Sequence, residues 1–123
     1  MSNARILIVE DEANIAESLS FVLKRAAFEV EVSTDGAEAL ERLRRQTFSA
    51  MILDVMVPGM NGFDVLRAVR ADHALAGLPV LVLTAKGQAN DRRTAEAIGA
   101  SAFVTKPYSN AEIVERVRGL VAG

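Results

Sequence analysis

Residues 50–62, Ala50-Met51-Ile52-Leu53-Asp54-Val55-Met56-Val57-Pro58-Gly59-Met60-Asn61-Gly62, carry the reading that decides the fold. Four apolar residues run into a carboxylate, and a segment rich in turn formers follows. A short apolar run bounded in this way reads as a strand covered on both faces. A carboxylate at the C-terminal tip of such a strand stands where open α/β sheets place their chemistry. Three more apolar runs end in polar residues. Ile6-Leu7-Ile8-Val9 meets Glu10-Asp11-Glu12, Val80-Leu81-Val82-Leu83 meets Thr84, and Ala102-Phe103-Val104 meets Thr105-Lys106-Pro107. Carboxylates, a hydroxyl and an ammonium therefore converge on one edge of one sheet. Such a set can hold a divalent cation, accept a phosphoryl group and neutralise its charge.

Outward from that stretch the chain repeats a βα unit five times. Strands are expected near residues 5–9, 29–33, 49–53, 79–83 and 102–104, and helices near 13–27, 36–46, 62–72, 88–99 and 109–121. Ile15, Leu19, Val22, Leu23 and Ala26 form an apolar stripe at helical spacing, as do Ile113, Val114, Val117, Leu120 and Val121. Ser109 reads as the cap of the last helix, with Glu112 at the reciprocal capping-box position. Gly36, Gly62, Gly99 and Pro79 punctuate the elements. Strict alternation of strand and helix implies a five-stranded parallel sheet with helices on both faces. The second strand alternates (Glu29-Val30-Glu31-Val32) and the fifth is short, so both suit edges. The order 2-1-3-4-5 then follows, a flavodoxin-like (βα)5 arrangement. Its winding reverses between strands 1 and 3, where Glu10, Asp11 and Asp54 meet.

The chain has 123 residues, room for one domain with a real core and none for a second. Its apolar runs are far too short to span a bilayer, and no signal segment opens it. Cysteine is absent, which rules out disulfides and thiolate metal sites and suits a cytoplasmic setting. With a net charge of −2, nothing global argues for direct nucleic-acid binding, and the pairs Arg44-Arg45 and Arg92-Arg93 read as solvated helix faces. His73, the only histidine, lies in a charged helix end and reads as a solvated side chain, the alternative being a phosphodonor.

In these features the chain resembles the receiver domain of two-component response regulators over residues 1–123. The resemblance rests on Val9-Glu10-Asp11-Glu12, on Asp54 with Pro58-Gly59-Met60-Asn61-Gly62, on Thr84-Ala85, on Gly99-Ala100 and on Lys106-Pro107, all in order. It implies that Asp54 is the phosphoacceptor, that Glu10 and Asp11 are the acidic pair for Mg²⁺, that Thr84 is the switch hydroxyl and Phe103 the switch aromatic, and that Lys106 senses the phosphoryl group. It also implies a cis peptide at Lys106–Pro107. The partners it implies are a sensor histidine kinase or a histidine phosphotransfer protein, and downstream a protein target or an output domain. A homodimer through the fourth helix, fifth strand and fifth helix is a further expectation, with Arg92 and Glu112 as one charged pair. Ser101 and Ala102 stand where acidic residues usually precede the switch aromatic in regulators that dimerise in this way.

The chemistry of these residue types agrees. Mg²⁺ takes oxygen ligands and keeps several waters, so Asp11 and Asp54 directly, Glu10 through water and the Met56 carbonyl suffice. Lys106 can balance charge on the phosphoryl oxygens. Phe103 read plainly is core, Thr84 a strand end, and each carboxylate taken alone a solvated loop residue. The fourth helix offers one large apolar residue, Ile98, so it reads either as loosely anchored or as an alanine-faced surface helix. A timed switch, slow both to phosphorylate from small donors and to hydrolyse its own acyl phosphate, is expected more than a turnover enzyme. The resemblance implies that side chains at Met56 and Lys86 tune that hydrolysis. A receiver cut from a longer DNA-binding regulator is the nearest alternative. An aspartyl-phosphate hydrolase would place a second aspartate at position 56, which is Met56 here. A flavodoxin-like FMN binder would not place Glu10-Asp11-Glu12 against a phosphate.

Overall fold

The computed structural model describes residues 4–85 and 89–122. The elements alternate without exception: β1 (Arg5–Val9), α1 (Ala13–Arg25), β2 (Glu29–Ser33), α2 (Gly36–Arg45), β3 (Ala50–Asp54), α3 (Gly62–Ala71), β4 (Val80–Thr84), α4 (Ala89–Ile98), β5 (Ala102–Thr105) and α5 (Asn110–Ala122). The strands form one parallel sheet in the order β2-β1-β3-β4-β5, as the alternating second strand and the short fifth strand imply.

Alternate side chains of β1, β3, β4 and β5 enter opposite cores. Leu7, Val9, Met51, Leu53, Val80 and Val82 pack with α2, α3 and α4 on one face. Ile6, Ile8, Ile52, Leu81, Leu83 and Val104 pack with α1 and α5 on the other. Strands β3 and β4 are therefore buried along their whole length and β1 in all but Arg5, whereas β2 stays half open. Its glutamates are matched on the surface by Arg5, 3.4 Å from Glu29, and by Arg42, 3.0 Å from Glu31.

Local chemistry sets where elements begin and end. Asp35 caps α2 by accepting from the Ala37 and Glu38 N–H groups, and Asn61 caps α3 by accepting from Asp64. Ser109 Oγ accepts from the Glu112 N–H at 3.0 Å, so Ser109 lies just outside α5, which runs one residue further than expected, to Ala122. The first helix stops at Arg25 and not at residue 27. Ala27 adopts φ +72°, with its N–H bonded to the Lys24 carbonyl and that of Phe28 to Leu23. This is the six-to-one closure that usually has glycine at the left-handed position, and alanine there hides it from sequence inspection. Gln46 and Asp72 are extended residues ending α2 and α3, one residue earlier than expected. Residue 88, expected to open the fourth helix, lies outside the described residues.

Strands β3 and β4 start and end one residue later than expected, so Asp54 and Thr84 are strand residues themselves. Asp54 pairs with Leu83, and Thr84 with Thr105. Hydrogen bonds from Val55 N–H to Leu83 and from Lys106 N–H to Thr84 continue the ladder past both.

Candidate functional site

Four strand ends meet at the C-terminal edge of the sheet. Asp54, 3% exposed, is positioned by its own turn and by β5: Oδ1 accepts from the Met56 N–H at 2.8 Å, and Oδ2 accepts from Lys106 Nζ at 2.5 Å. The turn is pressed close by α3. A Cβ on Gly62 would stand 2.6 Å from the Asp54 carbonyl oxygen, so only glycine lets the helix start here. Gly59, at φ +81°, lies against the Asp35 carboxylate, and the Gly36 N–H donates to Pro58, which ties the same turn to α2.

Glu10 continues β1 and is 1% exposed. Its Oε2 accepts from the Glu12 N–H at 3.1 Å, while Oε1 has no hydrogen-bond partner and lies 3.6 Å from Lys106 Nζ. Burial, and after it the adjoining Asp54 carboxylate, push the Glu10 carboxyl up to about 7. Burial by itself would lower the Lys106 ammonium, but its bond to Asp54 and the charge of Glu10 outweigh that and hold it above the ordinary lysine range. Lys106 thus serves two carboxylates, and its peptide bond to Pro107 is cis. Asp11 is exposed, as is the Met56 side chain at 78%. Among the described residues no group of three or more histidine or carboxylate side chains is gathered at metal-holding distance.

The β4 and β5 ends are organised differently. Thr84, 3% exposed, donates from Oγ1 to Asp91 Oδ2 in the first turn of α4, at 2.6 Å. Phe103 is half-buried against the α2-α3-α4 core, and the Arg92 guanidinium stands 5.8 Å from its ring centroid. Val55, Met56, Phe63, Thr84 and Asp91 line a cleft of about 530 Å³ beside Asp54. Tyr108, two residues past Lys106, packs on the α1-α5 side, and burial raises its phenol.

The sheet therefore brings Glu10, Asp54 and Lys106 into one cluster and Thr84 and Phe103 onto α4. His73 is exposed, and Lys86 lies outside the described residues. Asp91 escaped the sequence reading. Its one available signal was an acidic residue in the first turn of a helix that follows a strand-ending threonine. Arg92 is exposed, as expected for a solvated helix face, and within the chain it pairs with Glu96 of its own helix at 3.6 Å and covers Phe103.

A buried carboxylate held by an ammonium thus lies beside a second buried carboxylate at the reversal point of the 2-1-3-4-5 sheet. The chain belongs to the response regulator receiver domain family, whose model matches residues 6–118. It is 42% identical over 114 residues to the DNA-binding response regulator MtrA of Mycobacterium tuberculosis, covering 93% of this chain and 49% of that protein. The chain spans about half the length of the curated relatives it matches. Among solved structures, the signal receiver domain of a histidine kinase from Syntrophus aciditrophicus superposes with a TM-score of 0.92 at 31% identity, over 98% of this chain and 91% of that one. The receiver domain of a sensor histidine kinase from Pseudomonas aeruginosa, which has a magnesium ion coordinated in its active-site cleft, superposes with a TM-score of 0.91 at 25% identity, over 98% of this chain and 99% of that one. Among the described residues no helix is long and apolar enough to cross a membrane.

Proposed function

We propose that residues 1–123 act as one receiver unit in the cytoplasm, taking a phosphoryl group from a sensor histidine kinase or a histidine phosphotransfer protein onto Asp54. The observation that carries this is the buried Asp54 carboxylate, held between the Lys106 ammonium and the Met56 N–H. An Asp54 oxygen attacks phosphorus, the phosphorus–nitrogen bond of the donor breaks, and the imidazole leaves with the electron pair. A carboxylate nucleophile needs no general base, and Lys106 already faces it. Lys106 then turns from the acceptor oxygen to a phosphoryl oxygen and balances its charge.

The residues fit a divalent cation. Glu10 Oε1 is buried without a hydrogen-bond partner, and the two carboxylates have one ammonium between them. Such an atom is costly to leave unpaired, and a cation would satisfy it. Mg²⁺ would be held by Asp11, Asp54 and the Met56 carbonyl, with Glu10 reached through water, and when bound it supplies positive charge for the phosphoryl oxygens. Thr84 donates to a phosphoryl oxygen, Phe103 follows it inward, and the surface of α4, β5 and α5 changes for a partner, an output domain or a second copy. The DNA-binding name of MtrA and its greater length support a second context, the same switch within a longer regulator.

Incubation with phosphoramidate and Mg²⁺ should yield one alkali-labile phosphate per chain, and Asp54→Asn should reduce the yield to background while the fold persists. Undiminished labelling of the Asn variant would place the acceptor elsewhere.

A further inference from the structure

The Thr84 hydroxyl has a single proton, and in this structure that proton is committed to Asp91 at 2.6 Å. A hydroxyl donating to Asp91 cannot donate to a phosphoryl oxygen on Asp54 at the same time. The competing acceptor carries a charge, which makes the bond one of the stronger kinds. Both ends are sheltered, Thr84 at 3% exposure and Asp91 half-buried. The next residue, Arg92, covers the ring of Phe103. Two consecutive side chains in the first turn of α4 therefore hold the two side chains on which the switch depends.

The rest of α4 does little to hold that turn. Among its described residues Ala95 is the one fully buried, with Ile98 partly buried. Its C-terminal end is fastened instead, where Arg70 Nε donates to the Gly99 carbonyl at 2.8 Å and Nη1 to Leu78 at 2.7 Å. A helix fastened at one end and clasped by side chains at the other can swing when the clasp opens.

We propose that Asp91 is the positioning residue of the resting state, holding the Thr84 hydroxyl on α4 so that phosphorylation must exchange one hydrogen bond for another; this rests on the reading of Asp54 as the phosphoacceptor. No proton is transferred in the exchange. The Thr84 O–H bond to the Asp91 carboxylate breaks, and a bond from the same O–H to a phosphoryl oxygen forms. The added negative charge on Asp54 also repels Asp91, so the two events favour one another. Arg92 leaves Phe103 with the same turn.

Trifluoroberyllate with Mg²⁺, a phosphoryl stand-in that transfers nothing, reads the balance as an affinity, followed by the fluorine resonances of the bound ion. Asp91→Ala should bind it about tenfold more tightly than the unaltered chain, the scale of one hydrogen bond to a charged acceptor. Asp91→Asn, which keeps a weaker neutral acceptor and the side chain's shape, should gain about threefold. In a Thr84→Val background, Asp91→Ala should leave the affinity unchanged, since no proton remains to hold. Equal or weaker binding by both Asp91 variants would overturn the clasp, as would an equal gain without the Thr84 hydroxyl. If Asp91→Ala does not fold, the Asp91→Asn arm decides. Failure of the unaltered chain itself to bind at saturating Mg²⁺ would overturn the phosphoacceptor reading, and the clasp with it.

Discussion

Asp54 and Thr84 end neighbouring strands and are equally buried, yet they are held by different means. Asp54 is fixed by a backbone N–H of its own turn, by a lysine from the next strand end but one, and by a helix start that tolerates only glycine. Thr84 is held by one side chain from a helix in which Ala95 alone, among the described residues, is fully buried. The difference separates tasks. Chemistry needs a nucleophile that stays in place, so main-chain geometry sets it. Readout needs two arrangements of similar energy, so a replaceable side-chain bond sets it.

The comparison makes the acceptor end costly, and pH exposes that cost. In metal-free buffer the folded chain keeps the Glu10 proton up to about pH 7, whereas the unfolded chain releases it near the ordinary glutamate value of 4.5. The folded state binds more protons between those values, so this contribution to stability is fully present below about pH 4.5 and is lost as pH rises through 7. The loss is on the order of 3 kcal/mol. Denaturant titrations at pH 5 and pH 8 should show the decline, and Glu10→Gln should remove most of it. A Gln variant with the same pH slope as the unaltered chain would mean that the acceptor end is not strained.

The α4 end can be broken from the far side. Arg70→Ala removes the bonds to Gly99, Ala76 and Leu78, and should destabilise the fold by about 2 kcal/mol, freeing the end of α4 and the segment before β4. Amide exchange should accelerate in α4 well before α1, while labelling of Asp54 by phosphoramidate proceeds at an unchanged rate. Uniform acceleration across all helices would erase the contrast between the two ends.

The smallest effect concerns how long the acyl phosphate lasts. The exposed Met56 side chain lies beside the acceptor and has no group to orient an attacking water. Met56→Asn should speed phosphate release a few-fold at saturating Mg²⁺ with little change in the labelling rate. Equal or slower release would remove the shielding role of Met56.

Much of this molecule was legible from its residues. Apolar runs ending in Glu10, Asp54, Thr84 and Lys106 marked four strand ends. The alternation in β2 placed it at an edge, and the strand order followed, because periodicity and turn residues report local burial directly. The helix end at Ala27 was not legible, since the left-handed residue there is alanine and the closure is made by the Phe28 N–H to the Leu23 carbonyl, both residues belonging to the α1-α5 core. The commitments of individual side chains were also hidden. That one Glu10 oxygen lacks a hydrogen-bond partner, that Lys106 serves two carboxylates, and that Asp91 and Arg92 take hold of Thr84 and Phe103 depend on which atoms distant elements bring within about 3 to 6 Å. Sequence by itself determined the (βα)5 sheet and the residues that reach its active edge, through patterns a few residues long. The tertiary structure decided which of those residues are bound to one another at rest, because a hydrogen bond or an ion pair is made across elements that no local pattern relates.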